Sequence, residues 1–221
     1  MTPVREYRWT FPVAGLSPTD MEKIKRLSDE LTVSPVLAEI LVRRGIDTFD
    51  RAKRFFRPSL DDLHDPFLMD GMDLAVERIV RAIGNKEKLL VYGDYDVDGT
   101  NGAALLWTFL NSLHANVEYF IPDRIKDGYG LSISGIERAK DRGVQLLVAV
   151  DCGITALKPV ERARELGLDV IICDHHEPAD VIPSAFAVLD PLKPTCKYPF
   201  KTLCGCSVAF KLIQALSQNP V

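Results

Sequence analysis

The run KLLVYGDYDVDGT, residues 88–100, decides the fold of this chain. The five residues that follow Lys88 form a short apolar run, which is typical of a strand buried on both faces of a parallel sheet. Aspartates follow at alternate positions, and Gly99 and Thr100 then predict the start of a helix. The run is therefore predicted to be a strand and the turn that leads from it into a helix.

The same character recurs along the chain, in runs at residues 116–122, 145–150, 169–173 and 185–189. Helical patterns lie between or after these runs, at about residues 100–114, 133–142, 156–167 and 205–217. Repeated strand and helix units predict an α/β fold over residues 71–221, with a doubly wound, mainly parallel sheet of five strands. Residues 1–70 are predicted to form a helical N-terminal extension, in which Ser34 and Pro35 start a helix and Gly45 ends it.

The composition is that of an ordinary globular protein of one or two domains, with 221 residues, 47% hydrophobic and 26% charged. No apolar run approaches the roughly 18 residues of a membrane span, and the N-terminal residues lack a signal-peptide pattern. Five cysteines, an odd number, do not suggest a disulfide framework. We therefore expect a cytoplasmic protein with no membrane partner.

The net charge of −4 argues against a broad basic surface for nucleic acid. That argument is limited, because a carboxylate-rich metal site makes a chain acidic until its cations are bound. The sequence contains neither a phosphate-binding loop of the NTPase type nor the spacing of a dinucleotide loop. Cys196, Cys204 and Cys206 are a weak zinc pattern, so we expect them to be buried structural cysteines.

Acidic side chains follow four of the five predicted strands. In open α/β sheets, ligands bind at the carboxyl ends of the strands, so these side chains are expected at one edge. Each aspartate alone could be a helix cap, and the paired histidines could be core residues. Neither alternative explains the whole set, which comprises Asp94, Asp96, Asp98, Asp151, Asp174, His175, His176 and Asp190.

Carboxylates brought this close together repel one another unless a cation joins them. Oxygen ligands with one or two imidazoles indicate a divalent ion, and histidine favours Mn²⁺ over Mg²⁺. Alternate side chains of an extended segment share a direction, so two or all three of Asp94, Asp96 and Asp98 are predicted to converge on one site before Gly99 turns the chain.

The stretch IPDRIKDGYGLS, residues 121–132, follows the second predicted strand. Arg124 is predicted to contact a phosphate group, because a guanidinium fork fits phosphate oxygens. Tyr129, between Gly128 and Gly130, could stack on a nucleobase. The alternative is an ordinary glycine-rich turn with a solvated arginine.

Four stretches in this order, VYGDYDVDGTNGAALLW, PDRIKDGYGLS, VAVDCGIT and ICDHHEP, resemble the motifs of the DHH phosphoesterase superfamily. The likeness runs from about residue 70 to the end, includes YPFKTLCGCSVAFKL, and is strongest to the bacterial single-strand-specific exonucleases of that superfamily. It implies a two-metal phosphodiesterase, using Mn²⁺ or Mg²⁺, that digests single-stranded DNA from 5′ to 3′ in repair and recombination. It also implies partners such as a single-strand-binding protein or a helicase.

The resemblance assigns roles residue by residue. Asp96, Asp98, Asp151 and His175 would be metal ligands, with Asp151 bridging two ions and taking part in catalysis. Asp94 would be a further ligand or a neighbour of the ligands, and Asp174 would orient the residues beside it. His176 would face the scissile phosphate as a proton donor or charge stabiliser, and Arg124 would hold substrate phosphate.

Two departures from the family pattern set further expectations. The family usually has asparagine where this chain has Asp190, which lowers the weight of Asp190 as a ligand. The family also takes one more metal-binding aspartate, and a domain that closes over substrate, from beyond Val221. We therefore expect an inactive N-terminal fragment that binds at most one divalent ion tightly.

Two other functions stay open at this stage. One is a relative that hydrolyses oligoribonucleotides, cyclic dinucleotides or pyrophosphate, although such relatives tend to lack the Gly-Tyr-Gly-Leu stretch and the N-terminal extension. The other is a non-catalytic replication scaffold with the same fold, against which the intact acidic motifs weigh. Comparing turnover of long single strands with turnover of dinucleotides tests the first alternative. Metal titration tests the second, because a scaffold should have no tight Mn²⁺ site.

Overall fold

The structure, a computed structural model, describes residues 15–218. The chain divides into two compact units, one extending to Leu63 and the other starting at His64. The division lies before the predicted boundary at residue 70 for a physical reason. Met69 is buried in the core of the second unit, the Lys193 ammonium contacts Asp70, and Lys211 donates to the His64 carbonyl oxygen, so residues 64–70 pack with the second unit.

Within residues 15–63, the first unit contains three α-helices, α1 (Pro18–Leu31), α2 (Pro35–Arg43) and α3 (Phe49–Phe56). Ser34 caps α2 with its side chain and Pro35 takes the first turn, as predicted, while Gly45 follows the helix end with a φ of 76°. The small apolar core of this unit consists of Ile24, Leu27, Ala38, Leu41 and Ala52. Residues 1–14 of the predicted extension lie outside the described residues.

The second unit alternates strands and helices, as the sequence predicts. Its strands are β1 (Leu89–Gly93), β2 (Val117–Phe120), β3 (Leu146–Val150), β4 (Asp169–Cys173) and β5 (Ala187–Leu189). Its helices are α4 (Met72–Gly84), α5 (Val97–Ser112), α6 (Ile133–Asp141), α7 (Leu157–Glu165) and α8 (Gly205–Ser217). In residues 15–218, no helix is long and apolar enough to cross a membrane.

The five strands form one parallel sheet in the order β2-β1-β3-β4-β5. Alternate residues of the central strands pack into two cores, one beneath α4, α5 and α8 and the other beneath α6 and α7. Every residue of β1 and β3 is buried, which explains why both runs are apolar throughout. The predicted doubly wound parallel architecture is confirmed.

Two local predictions need correction. Helix α4 is absent from the predicted helices, because its N-terminal Gly71 offers no side-chain cap and therefore no start signal. Helix α5 begins at Val97 rather than at residue 100, because the Asp96 side chain accepts a hydrogen bond from the Gly99 backbone N–H at 2.9 Å. Asp98 therefore lies in the first helical turn, and the three alternate aspartates are not an extended segment.

Candidate metal centre

Four buried aspartates follow the strands at the carboxyl edge of the sheet. Asp94, Asp151, Asp174 and Asp190 come directly after β1, β3, β4 and β5, and none is more than 1% exposed. Burying an ionised carboxylate is costly unless hydrogen bonds or cations compensate it. The partners of each carboxylate therefore indicate its role.

Asp151 lies at the centre of this edge and has an unusual backbone. Its φ is 63°, a left-handed conformation that non-glycine residues rarely adopt and that tends to occur at functional sites. Its Oδ1 is 3.1 Å from His175 Nε2 but accepts no well-aligned hydrogen bond within the described chain. Burial first, and then the charges of Asp98 and Asp96, raise the pKa of Asp151 to about 7.

Asp94 and Asp96 approach Asp151 from the end of β1. One ligand atom from each of these three carboxylates lies within 4.8 Å of the others. Asp94 Oδ1 has no hydrogen-bond partner among residues 15–218, and burial together with the Asp96 charge raises the pKa of Asp94. A Cβ atom at Gly99 would lie 2.7 Å from the Asp94 backbone, so only glycine lets α5 start this close to the strand.

Asp98 reaches the site from the first turn of α5 and contacts the start of α8. Its two oxygens accept the backbone N–H groups of Gly205 at 2.7 Å and Cys206 at 2.8 Å. Burial alone would raise the pKa of Asp98, but these hydrogen bonds hold it below its usual value. Asp98 Oδ2 is 3.6 Å from His175 Nε2, so the residue remains within reach of the same centre.

The two histidines lie after β4 and have different partners. His175 Nε2 faces Asp151 and Asp98, whereas His176 Nδ1 is 2.7 Å from Asp174 Oδ1. Asp174 also accepts backbone N–H groups from Ile154, His175 and His176, so it acts as an acceptor towards His176 Nδ1–H. The structure thus places Asp174 where it orients its neighbours, as the resemblance implies.

The His176 imidazole keeps its second nitrogen at the exposed side of the site. Nε2 lies 3.5 Å from the Tyr129 hydroxyl. Partial burial would lower the pKa of His176, but the hydrogen bond and charge of Asp174 outweigh it and raise that pKa. The residue is therefore held in one orientation, and its pKa lies above the ordinary value.

The loop after β2 brings Arg124 and Tyr129 to the same edge. Tyr129 lies between two glycines with φ of 81° and 70°, and burial followed by the charges of Asp94 and Asp174 raises its pKa to about 12. The Arg124 guanidinium carbon lies 5.5 Å from the ring centroid of Tyr95. Sequence reasoning missed Tyr95, although an aromatic residue between two candidate ligands was a readable signal.

The donor set fits a divalent cation. Asp94, Asp96 and Asp151 form one group of ligand atoms within 4.8 Å, and Asp151, His175 and His176 form another. Asp151 is common to both, and two of the carboxylate oxygens, on Asp94 and Asp151, lack hydrogen-bond donors within the described chain. Oxygen ligands with an imidazole suit Mn²⁺ or Mg²⁺, and a cation would offset the burial of these charges.

The structure also bears on the expectations for Asp190 and for the cysteines. Asp190 is fully buried, with Oδ1 bonded to the Leu192 N–H and Oδ2 unpaired among residues 15–218, but it belongs to neither ligand group. The expectation of buried cysteines is wrong for Cys204, which is exposed, and Cys206 is half-buried. Both cysteines lie at the start of α8, where the backbone N–H groups of Gly205 and Cys206 contact Asp98 at the edge of the sheet and not in its core.

A parallel sheet whose carboxyl edge gathers aspartates and histidines defines an α/β protein with a metal-binding strand-end site. The model of the DHH family, N-terminal domain, matches residues 88–221. This chain belongs to the DHH family, which confirms the resemblance found in the sequence.

Curated relatives carry the name single-stranded-DNA-specific exonuclease RecJ. The chain is 45% identical over 197 residues to the protein from Bacillus subtilis, an alignment covering 89% of this chain and 25% of that protein. It is 38% identical over 183 residues to the Escherichia coli protein, covering 82% of this chain and 31% of that one. The chain therefore spans between a quarter and a third of the length of these relatives.

Solved structures agree with this assignment. The crystal structure of RecJ in complex with Mn²⁺ from Thermus thermophilus aligns with a TM-score of 0.71 and 30% identity, covering 92% of this chain and 28% of that chain. A crystal structure of exonuclease RecJ bound to manganese aligns with a TM-score of 0.62 and 34% identity, covering 68% and 38%. The T. thermophilus protein also has a structure in complex with Mg²⁺.

Proposed function

We propose that this chain carries the metal centre of a phosphodiesterase that digests single-stranded DNA from its 5′ end in DNA repair and recombination. The observation that carries the proposal is the buried Asp151 carboxylate, which belongs to both groups of candidate ligand atoms. RecJ relatives bound to Mn²⁺ or Mg²⁺ support the choice of ions. The names of the curated relatives support the choice of substrate.

The residues that would hold the ions are Asp94, Asp96, Asp98, Asp151 and His175, and Asp151 belongs to both groups of candidate ligand atoms. When bound, a pair of divalent ions would lower the pKa of a water and neutralise the charge of the scissile phosphate. Asp98 is held in place by the N-terminus of α8, so its oxygens are oriented before any ion arrives. Hydrogen bonds made to a metal-ligating side chain typically change the affinity of the site for its metal.

His176 is proposed to donate a proton to the leaving oxygen from Nε2. Asp174 accepts from Nδ1, which fixes the ring orientation and raises the pKa of the imidazole above its ordinary value. Tyr129 lies beside Nε2, and its raised pKa keeps the hydroxyl protonated at neutral pH. Arg124 would neutralise a substrate phosphate, and the Tyr129 ring would stack on a base.

The direct experiment compares Mn²⁺-dependent release of nucleotides from 5′-labelled single strands, 3′-labelled single strands, duplexes and dinucleotides. The reaction is measured with this chain and with a longer chain that has the full length of its RecJ relatives. The proposal expects the longer chain to release nucleotides from single strands with a free 5′ end, and this chain to release few or none. The activity should be lost in Asp96→Ala of the longer chain, which excludes a contaminant. Preference for dinucleotides in both chains would favour the alternative hydrolase instead.

A further inference from the structure

Tyr95 contacts both side chains that are proposed to bind nucleic acid at this edge. Its ring faces the Arg124 guanidinium at 5.5 Å, and it meets the Tyr129 ring edge-on with centroids 6.0 Å apart. Tyr95 itself is half-buried between Asp94 and Asp96, at the end of β1. One ring thus links the loop after β2 to the backbone that carries two proposed ligands.

The acids nearest Arg124 along its own loop are already engaged. Asp123 accepts the backbone N–H groups of Ile125 and Lys126, and Asp127 pairs with Arg138 at 2.6 Å. Within residues 15–218, Arg124 makes no hydrogen bond or ion pair, and the Tyr95 ring is its contact. The guanidinium N–H groups therefore remain available to a phosphate.

The carboxylates of the candidate metal centre would compete with a phosphate for the Arg124 guanidinium. Tyr95, the ring partner of Arg124, lies between the proposed ligands Asp94 and Asp96 in the chain, and a guanidinium that paired with these carboxylates would compete with both phosphate and metal. The face of a tyrosine ring attracts a guanidinium without satisfying its N–H donors. A ring at position 95 can therefore hold the cation near the carboxylates while leaving its hydrogen-bonding capacity unused.

We propose that Tyr95 is a positioning residue, whose ring holds Arg124 ready for a substrate phosphate and away from the metal-binding carboxylates. The phosphate part of this inference rests on the proposed function, whereas the Arg124–Tyr95 contact does not. The ring face, and not the hydroxyl, carries the role. Tyr95→Phe should therefore behave like the wild type, and Tyr95→Leu should not.

The first arm of the test observes the contact in the full chain without substrate. Protons of the Arg124 side chain lie over the ring and should be shifted upfield in an NMR spectrum of arginine-labelled protein, with Arg124→Lys providing the assignment. The shift should persist in Tyr95→Phe and disappear in Tyr95→Leu. No upfield shift in the wild type, or an equal shift in Tyr95→Leu, overturns the inference.

The second arm measures single-strand binding in Mg²⁺ across a salt series. Tyr95→Leu and Arg124→Ala should each weaken binding several-fold and lower the salt slope by about one phosphate. The double variant should bind no more weakly than Arg124→Ala. Additive losses would mean that the two residues act separately, which contradicts the inference. Tyr119→Leu, at an exposed tyrosine on β2, is the matched control and should leave binding unchanged.

Calorimetric titration with Mn²⁺ separates positioning from damage to the metal centre. Tyr95→Leu should keep wild-type affinity for the ion, and a large loss would contradict the inference by showing that Tyr95 acts through Asp94 and Asp96. If the wild type binds no single strand, the proposed function fails. The NMR arm then still decides whether Tyr95 positions Arg124.

Discussion

Asp151 has a structure that stability alone does not explain. It combines a left-handed backbone, near-complete burial and a carboxylate oxygen with no well-aligned donor among residues 15–218. Each of these features costs free energy in the absence of a cation. A metal-binding role accounts for all three together, because the cation offsets the cost.

Asp151→Asn should stabilise the metal-free protein at pH 8 and have little effect near pH 4. A folded-state pKa of about 7, above the usual 3.8, means that ionisation costs stability as the pH rises between these values. The limit is about 4 kcal/mol, at 1.36 kcal/mol per pKa unit, and asparagine tolerates the positive φ. Denaturant unfolding in chelator at several pH values measures the difference.

The control for this prediction is excess Mn²⁺, which should reverse the order of stability at pH 8 because only the wild type keeps the shared ligand. A pH-independent difference between the two proteins would show that the carboxylate is not held in an unfavourable charged state.

Asp174→Asn should lower turnover of a longer active chain by about 10- to 100-fold while leaving Mn²⁺ affinity largely unchanged. Asp174 raises the pKa of His176, so its neutralisation lowers the pH above which His176 is deprotonated. The alkaline limb of the rate profile should therefore move to lower pH. An unmoved alkaline limb would remove His176 from the role of proton donor.

At the scale of elements, the sequence predicted the strands better than the turns that follow them. The runs at β1 and β3 are apolar throughout, and β4 is apolar after Asp169, because both faces are buried there, and that pattern is readable. The start of α5 was predicted wrongly, because the alternate aspartates were interpreted as an extended segment although Asp96 is also a typical helix cap. The contact of Asp98 with Gly205 spans 107 positions, and no local pattern predicts it.

Asp96 both caps α5 and belongs to a proposed ligand group, and substitution can separate these roles. Serine keeps a capping oxygen, whereas alanine does not. Asp96→Ala should therefore be about 1 kcal/mol less stable than Asp96→Ser without metal. Both variants should lose Mn²⁺-induced stabilisation in thermal unfolding. Retention of that stabilisation in Asp96→Ser would assign Asp96 to capping alone.

Gly205→Ala should disrupt the site from the end of α8. A Cβ atom there would overlap the Asp151 carboxylate, so the helix start and the ligand must separate, at a cost of about 1–3 kcal/mol and with weaker Mn²⁺ binding. Gly84→Ala, at a helical glycine with open space around its Cβ position, is the control and should not weaken binding. Equal metal affinity in both variants would show that α8 does not set the position of Asp151.

At the scale of the whole molecule, the sequence predicted the fold class but not the order of the strands. The fold class is enough to place the carboxyl ends of the strands at one edge of the sheet. The order β2-β1-β3-β4-β5 sets β1, β3 and β4 side by side, which brings Asp94, Asp151 and His175 together. The backbone of Asp151 and the engagement of Tyr95 with Arg124 depend on tertiary packing. The sequence therefore predicted the sheet edge at which the candidate ligands lie, but not how they are held; their roles as ligands stay a prediction.

Calorimetric titration of this chain with Mn²⁺ tests the central claim that Asp151 is the shared ligand of a divalent metal centre. We expect saturable binding in the wild type and at least about 100-fold weaker binding in Asp151→Asn. Asp190→Asn, at a buried carboxylate of the same edge outside both ligand groups, should bind within about threefold of the wild type. Wild-type affinity in Asp151→Asn, or its loss in Asp190→Asn alone, would contradict the account.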